Sequence, residues 1–218
     1  MGTGTVNDDW LLWQLADSAF PIGGFAHSGG LEAAWQHGAV RDATALEAYI
    51  DASLRQAARG PAVFVAAAWR EPTRWADADG ACDLFLNNHV ANRASRAQGR
   101  ALIASAARAF ATGALAALDR DVRGNRTPAH LAPAWGVVCR ALGVDKDLTT
   151  GLFLFAAARS LVSSAVRLGI VGPIEGQQIQ ARLASTEWPV ADEPVQTAPI
   201  LDLLQGTHDR LYSRLFQS

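Results

Sequence analysis

Apolar positions recur with a helical period along almost the whole chain. Leu11, Leu12 and Leu15 share one face and predict a helix from Trp10 to about Ser18, with Asp8 or Asp9 as its cap. A second helix is expected from near Gly29 to Gly38, with Glu32 in its first turn, where the helix dipole favours an anion. The clearest stretch is "TALEAYIDASLRQAARG". Leu46, Ile50, Leu54 and Ala57 fall on one stripe, Thr44-x-x-Glu47 reads as a capping box, and Gly60-Pro61 closes one helix and opens the next. Further helices fit 61–70, 73–87, 90–112, 114–122 and 128–142 (Thr127 as cap, Pro128 at the first position, Gly143 as stop). The series continues with 147–168 up to Gly169, 173–184, and part of 200–216. No run alternates under β-branched enrichment, and the three-proline segment "STEWPVADEPVQTAPI" reads as a loop. The pattern predicts an all-α, single-domain bundle of roughly nine to ten helices without significant sheet. That domain covers 1–218, with flexible residues at 1–7 and a docking tail at 207–218.

Composition narrows this picture. The chain has 218 residues, 50% of them apolar and 18% charged, which is a globular balance with enough length to bury a core unaided. A formal charge of −2 offers no basic footprint for nucleic acid. Lys146 is the sole lysine, and the richness in arginine, alanine and tryptophan reads as compositional bias. The start "MGTGTVNDDWLLWQL" lacks a basic secretory leader, and Val6 stands where myristoylation needs a hydroxyl. The apolar run Leu148 to Ala158 ends at Arg159, short of a membrane span. Cys82 and Cys139 are far apart and form neither a disulfide framework nor a zinc motif. The expected compartment is the cytoplasm, with no membrane or nucleic-acid partner.

The candidate chemistry concentrates in "DSAFPIGGFAHSGGLEAAW", Asp17 to Trp35. A phosphate loop starting at Gly24 would need lysine where Gly30 stands and a hydroxyl where Leu31 stands. A nucleophile elbow on Ser28 would need glycine at Ala26, so a hydrolase built on His27, Ser28 and a carboxylate such as Asp17 is an alternative without its motif. His27, His37, His89, His130 and His208 are scattered without ligand spacing, and no catalytic or metal-ligating residue is assigned. His27 is the best of them for a site shared between two chains. The structural account is that the glycines permit positive φ and close helix approach, while Pro21 fixes the entry and Phe20, Ile22 and Phe25 bury as an anchor. Special geometry gathered in one loop is nevertheless where function tends to sit.

The other informative segment is "THDRLYSRLFQS". Leu211, Tyr212, Leu215 and Phe216 are expected on one helical stripe, with Asp209, Arg210, Ser213 and Arg214 off it. So short a segment does not repay its own ordering entropy; it docks on its own core or on another chain.

These stretches together carry a resemblance. "LADSAFPIGGFAHSGGLEAA", "NRASRAQGRALI", "SAVRLGIVGPIEGQ" and the closing "YSRLF-x-S" occur in that order, and the chain resembles the UreF family of urease accessory proteins. The resemblance implies an all-α chaperone that is not an enzyme, dimerises, binds the UreD/UreH accessory protein and recruits the UreG GTPase, so that nickel reaches apo-urease. It implies no firmly bound cofactor, nickel being handled by the complex. Carried onto this sequence, it makes Pro21, Gly23, Gly24, Phe25, His27 and Ser28 a partner-binding loop, and Tyr212, Ser213, Arg214, Leu215 and Phe216 a partner-docking tail. Arg214 is expected to hold backbone carbonyls of the loop or of the partner. Two departures stand out: Phe25 replaces a tyrosine found in some members, and Gly172 is followed by Pro173, leaving only the Gly176-Gln177 pair. An all-α ligand-binding regulator remains the other reading; it would want a basic recognition helix, which the sequence does not offer.

Overall fold

A computed structural model describes the chain from Val6 to Ser218, with side chains from Trp10 onward. The helices are α1 (Val6–Ala16), α2 (Leu31–Gln36), α3 (Ala43–Arg59), α4 (Pro61–Arg70), α5 (Trp75–Phe85) and α6 (His89–Phe110). They continue with α7 (Gly113–Arg123), α8 (Leu131–Ala141), α9 (Lys146–Arg167), α10 (Pro173–Leu183) and α11 (Pro199–Gly206). Three single 3-10 turns interrupt the loops, and no strand occurs among the described residues. The expectation of flexibility at 1–7 falls mostly outside the described residues.

Helix α9 is the spine. Its Phe153 and Leu154 join a core formed with α4, α5, α6, α7 and α8, in which Trp135, Leu102, Ile103 and Leu115 are buried. One to three turns later, Ala158, Leu161, Val162 and Ala165 join a second core with Leu31, Leu46, Ile50, Leu54 and Ile179 from α2, α3 and α10. Trp188, from the loop after α10, packs against both. By length and composition α9 could cross a membrane, which the run ending at Arg159 did not suggest. Half of it is buried inside the bundle, as a core helix requires.

Several boundaries differ from expectation, each for a local reason. Helix α1 starts at Val6, so neither Asp8 nor Asp9 stands at its N-terminus, and it ends before Asp17, whose carboxylate accepts from Ala19 N at 2.9 Å. The Thr44–Glu47 capping box does not form. Asp42 caps α3 instead, its carboxylate accepting from Ala45 N. Thr127 and Pro128 do not open α8, which begins three residues later. The fully buried Asp79 of α5 captures that segment, accepting from Thr127 Oγ1, from Ala129 N (2.7 Å) and from His130 N (2.7 Å). Bound in this way, Ala129 sits at φ 62°.

The end of the chain departs most. α11 stops at Gly206, a single turn follows at His208–Arg210, and residues 211–218 are not helical. The expected stripe therefore splits: Phe216 is buried, Leu211 half-buried, Leu215 and Tyr212 exposed. The backbone of this segment finds its partners outside itself, on the opening loop and α2.

Candidate docking site formed by the opening loop and the C-terminal tail

The opening loop is shaped by positive φ at Gly23 (75°), Gly29 (61°) and Gly30 (84°). Gly30 also permits close approach, since a Cβ there would lie 2.8 Å from Gln205 Cβ on α11 and 2.9 Å from the Tyr49 hydroxyl. That hydroxyl donates to Gly29 O at 2.9 Å, and burial raises its pKa, so it remains a donor. Between the glycines, the turn Gly24–Ala26 carries Phe25 outward. Phe20 is buried and Ile22 half-buried, but Phe25 is 72% exposed, contrary to the expected three-residue anchor. The cause is backbone: Arg167 of α9 donates to Phe25 O and holds the turn.

The tail lies across this loop. Ser28 N donates to Ser218 O at 2.6 Å, Ser28 Oγ donates to the same oxygen at 3.1 Å, and Gln217 N donates to Ala26 O at 2.8 Å. His27 Nδ1 shares a hydrogen bond of 2.6 Å with Ser218 Oγ. Burial, then the nearby charges of His208 and Arg93, push the His27 imidazole below its ordinary pKa. Arg167 adds a second contact, its guanidinium stacking 4.3 Å from the centroid of the Phe216 ring.

The deepest fixture is Glu32. It is 2% exposed, in the first turn of α2. Its carboxylate accepts from Leu215 N (2.6 Å), Phe216 N (3.1 Å) and His208 Nε2 (3.1 Å). His208 is itself fully buried. Three donors and the α2 N-terminus compensate for taking this carboxylate out of water.

Arg214 does not hold the loop. Its guanidinium lies 3.6 Å from Asp209, which also pairs with Arg93 (2.8 Å) and His89 (3.3 Å). Arg93 above all, with His89 and Arg214 beside it, holds the Asp209 carboxyl below the usual range. The loop carbonyl goes to Arg167 because α9 packs against the Gly24–Ala26 turn, whereas Arg214 is placed beside Asp209.

The structure thus brings Gly24, Phe25, His27, Ser28, Leu215 and Phe216 into one unit, with Tyr212, Ser213 and Arg214 on its outer rim. Pro21 stands apart, exposed, its carbonyl accepting from Ser105 Oγ at 2.9 Å. Ser213 O accepts from Gln36 Nε2 at 2.8 Å. Three functional candidates were missed from sequence: Glu32 as tail receptor, His208 and Arg167. Glu32 alone left a signal, an acid in a first helical turn; the others depend on which helix runs beneath the loop.

Beneath the unit lies a cavity of about 560 Å³, with Gln98, Arg159, Ser160, Asp202 and Gln205 among its polar lining and Trp135 and Phe153 among its apolar lining. His27 and Ser28 both bond Ser218 rather than each other, and Asp17 is engaged in its own turn. The hydrolase arrangement is therefore not assembled. Both thiols are buried, with that of Cys139 pushed up to about 12.

The site is thus a helical scaffold whose opening loop and α2 fix a segment of its own chain, and whose rim presents Phe25, Tyr212 and Leu215 to solvent. The UreF family profile matches residues 40–184. Similar proteins include "Urease accessory protein F" of Arabidopsis thaliana, 39% identical over 96% of this chain and 92% of that protein. Another, of the same description, comes from Oryza sativa subsp. indica, 35% identical over 95% and 84%. "Urease accessory protein UreF" of Arthrobacter sp. is 30% identical over 95% and 96%. The chain belongs to the UreF family, and its role is in urease maturation.

Proposed function

We propose that this chain is a non-enzymatic adaptor for nickel insertion into apo-urease. Its loop–tail unit docks the UreD/UreH accessory protein, and the assembled pair recruits the UreG GTPase. The observation that carries the reading is the exposed apolar rim. Phe25, Tyr212 and Leu215 are large and exposed, and the backbone of Phe25 and of Leu215 is held by Arg167 and Glu32, an arrangement that lowers the ordering cost of supplying anchors to an interface. Membership of the family supports the choice of partners, and the family pattern supports a homodimer as the working form. Nickel is cargo in this reading, handled by the complex.

Function then amounts to a coupling free energy, since a partner that binds only the seated tail makes the unit more competent for the next partner. The test is co-purification of the full chain, and of a chain lacking residues 212–218, with UreD-type and UreG-type partners. The full chain should retain both. The truncated chain should retain its helicity by circular dichroism and lose the UreD-type partner. Normal binding by the truncated chain would remove the tail from the interface.

A further inference from the structure

We infer that Glu32 is the positioning residue of the docking surface: its carboxylate, rather than any side chain of the tail, sets the register in which residues 211–218 lie on the opening loop. This rests on the proposed docking role of the tail.

Residues 211–218 have no ladder or helical bonds of their own, so their N–H groups must be met from outside or left to water. Two adjacent N–H groups, those of Leu215 and Phe216, converge on the two oxygens of one buried carboxylate. A carboxylate is acceptor-only and can take both at once; an amide of the same shape has one acceptor and would turn an N–H₂ toward a backbone donor. Receiving two consecutive N–H groups fixes register more tightly than a side-chain contact, because a slip of one residue breaks both bonds. The receptor is also rigid. Glu32 sits between Leu31 and Ala33, both fully buried, and its second oxygen is held by His208 Nε2. His208 lies in the turn after α11, so one carboxylate joins the start of α2, the end of α11 and the tail. With Phe216 pinned under the Arg167 guanidinium, the neighbouring Leu215 faces outward and Tyr212 stays clear of the surface. The tail side of the displayed rim, Tyr212 and Leu215, is in this sense a consequence of Glu32.

The experiment is hydrogen exchange, read by mass spectrometry on the full chain, with E32Q, L215P and R214A beside wild type. L215P removes one of the two N–H groups and leaves α2 untouched, so it tests the contact even where E32Q fails to fold. Each of E32Q and L215P should speed exchange across residues 207–218 and 24–30 by about tenfold or more, with α4 and α8 still protected. R214A should leave the tail as slow as in wild type. Unchanged exchange in both E32Q and L215P would overturn the inference, and so would tail release in R214A alone. The same variants are offered to the UreD-type partner. A freed tail with undiminished partner binding supports Glu32 as the anchor while removing the tail from the proposed interface. An unchanged tail in both variants, with binding lost on deletion of 212–218, overturns the anchor and leaves the proposed function standing.

Discussion

At the scale of single residues, the docking unit turns on which polar groups are aimed at backbone. Arg167 and Glu32 both hold main-chain atoms, of Phe25 and of Leu215 and Phe216 respectively, so they shape the surface through its backbone, Arg167 from an exposed position and Glu32 from a buried one. Arg214 is displayed and shapes nothing, since it pairs only loosely with Asp209. His27 stands between these roles, bonded to Ser218 and shifted below its ordinary pKa of 6.5 by burial first, then by His208 and Arg93. The sign of its linkage follows. Between the lowered value and the ordinary one, the unfolded chain binds more protons than the folded chain, so stability falls as pH drops through that window. Melting curves between about pH 7 and about pH 5 should show a fall in midpoint that is shallower in H27Q than in wild type. Equal slopes in the two proteins would assign the fall to other groups.

At the scale of elements, close approach replaces large side chains at two crossings. A Cβ on Gly99 of α6 would overlap Ala129 O, and one on Gly136 of α8 would overlap Val65 O of α4. Both neighbours are backbone, so neither can rotate aside. G99A should therefore destabilise the fold by at least the overpacking range of about 1–3 kcal/mol, lowering the thermal midpoint by several degrees. A midpoint within one degree of wild type would mean that the 127–130 segment yields. That segment is held by Asp79 and shows why helix starts were only partly legible. Gly38, Gly143 and Gly169 lie at positive φ just past the helices they were expected to stop. By contrast, Thr127-Pro128 carries a sound local start signal and loses to a carboxylate nearly fifty residues away in sequence. Asn88, Thr112 and Asp145 are caps of ordinary type that the apolar pattern, which locates helix interiors, did not single out.

At the scale of the whole molecule, two segments without helical structure tie the bundle together. One is the tail. The other is the proline-rich strap after α10, which crosses the α3–α4 corner. Ala191 N and Val195 N donate to Ala58 O and Arg59 O, and Gln56 Oε1 accepts from Thr197 N (2.5 Å), Thr197 Oγ1 (2.8 Å) and Ala198 N (3.1 Å). One glutamine thus satisfies three donors of the strap. Q56A should loosen it, giving protease cleavage within 185–198 several-fold faster than in wild type while the helical signal is kept. Cleavage at the wild-type rate would show that the backbone bonds to Ala58 and Arg59 suffice.

What the sequence determined by itself is the helical class, the approximate span of nearly every helix, the two segments that meet in the candidate site and the family. Helical period, glycine stops and ordered motifs are local signals, and each is readable without knowing what lies across the bundle. Only the tertiary structure decided that the tail is an extended segment rather than a helical stripe, that Phe25 faces solvent, and that Glu32 and Arg167 hold the unit in place of Arg214. Those outcomes depend on buried charge seeking donors. A carboxylate taken out of water binds whichever N–H groups the fold delivers to it, and in this chain they come from residues more than 180 positions further along.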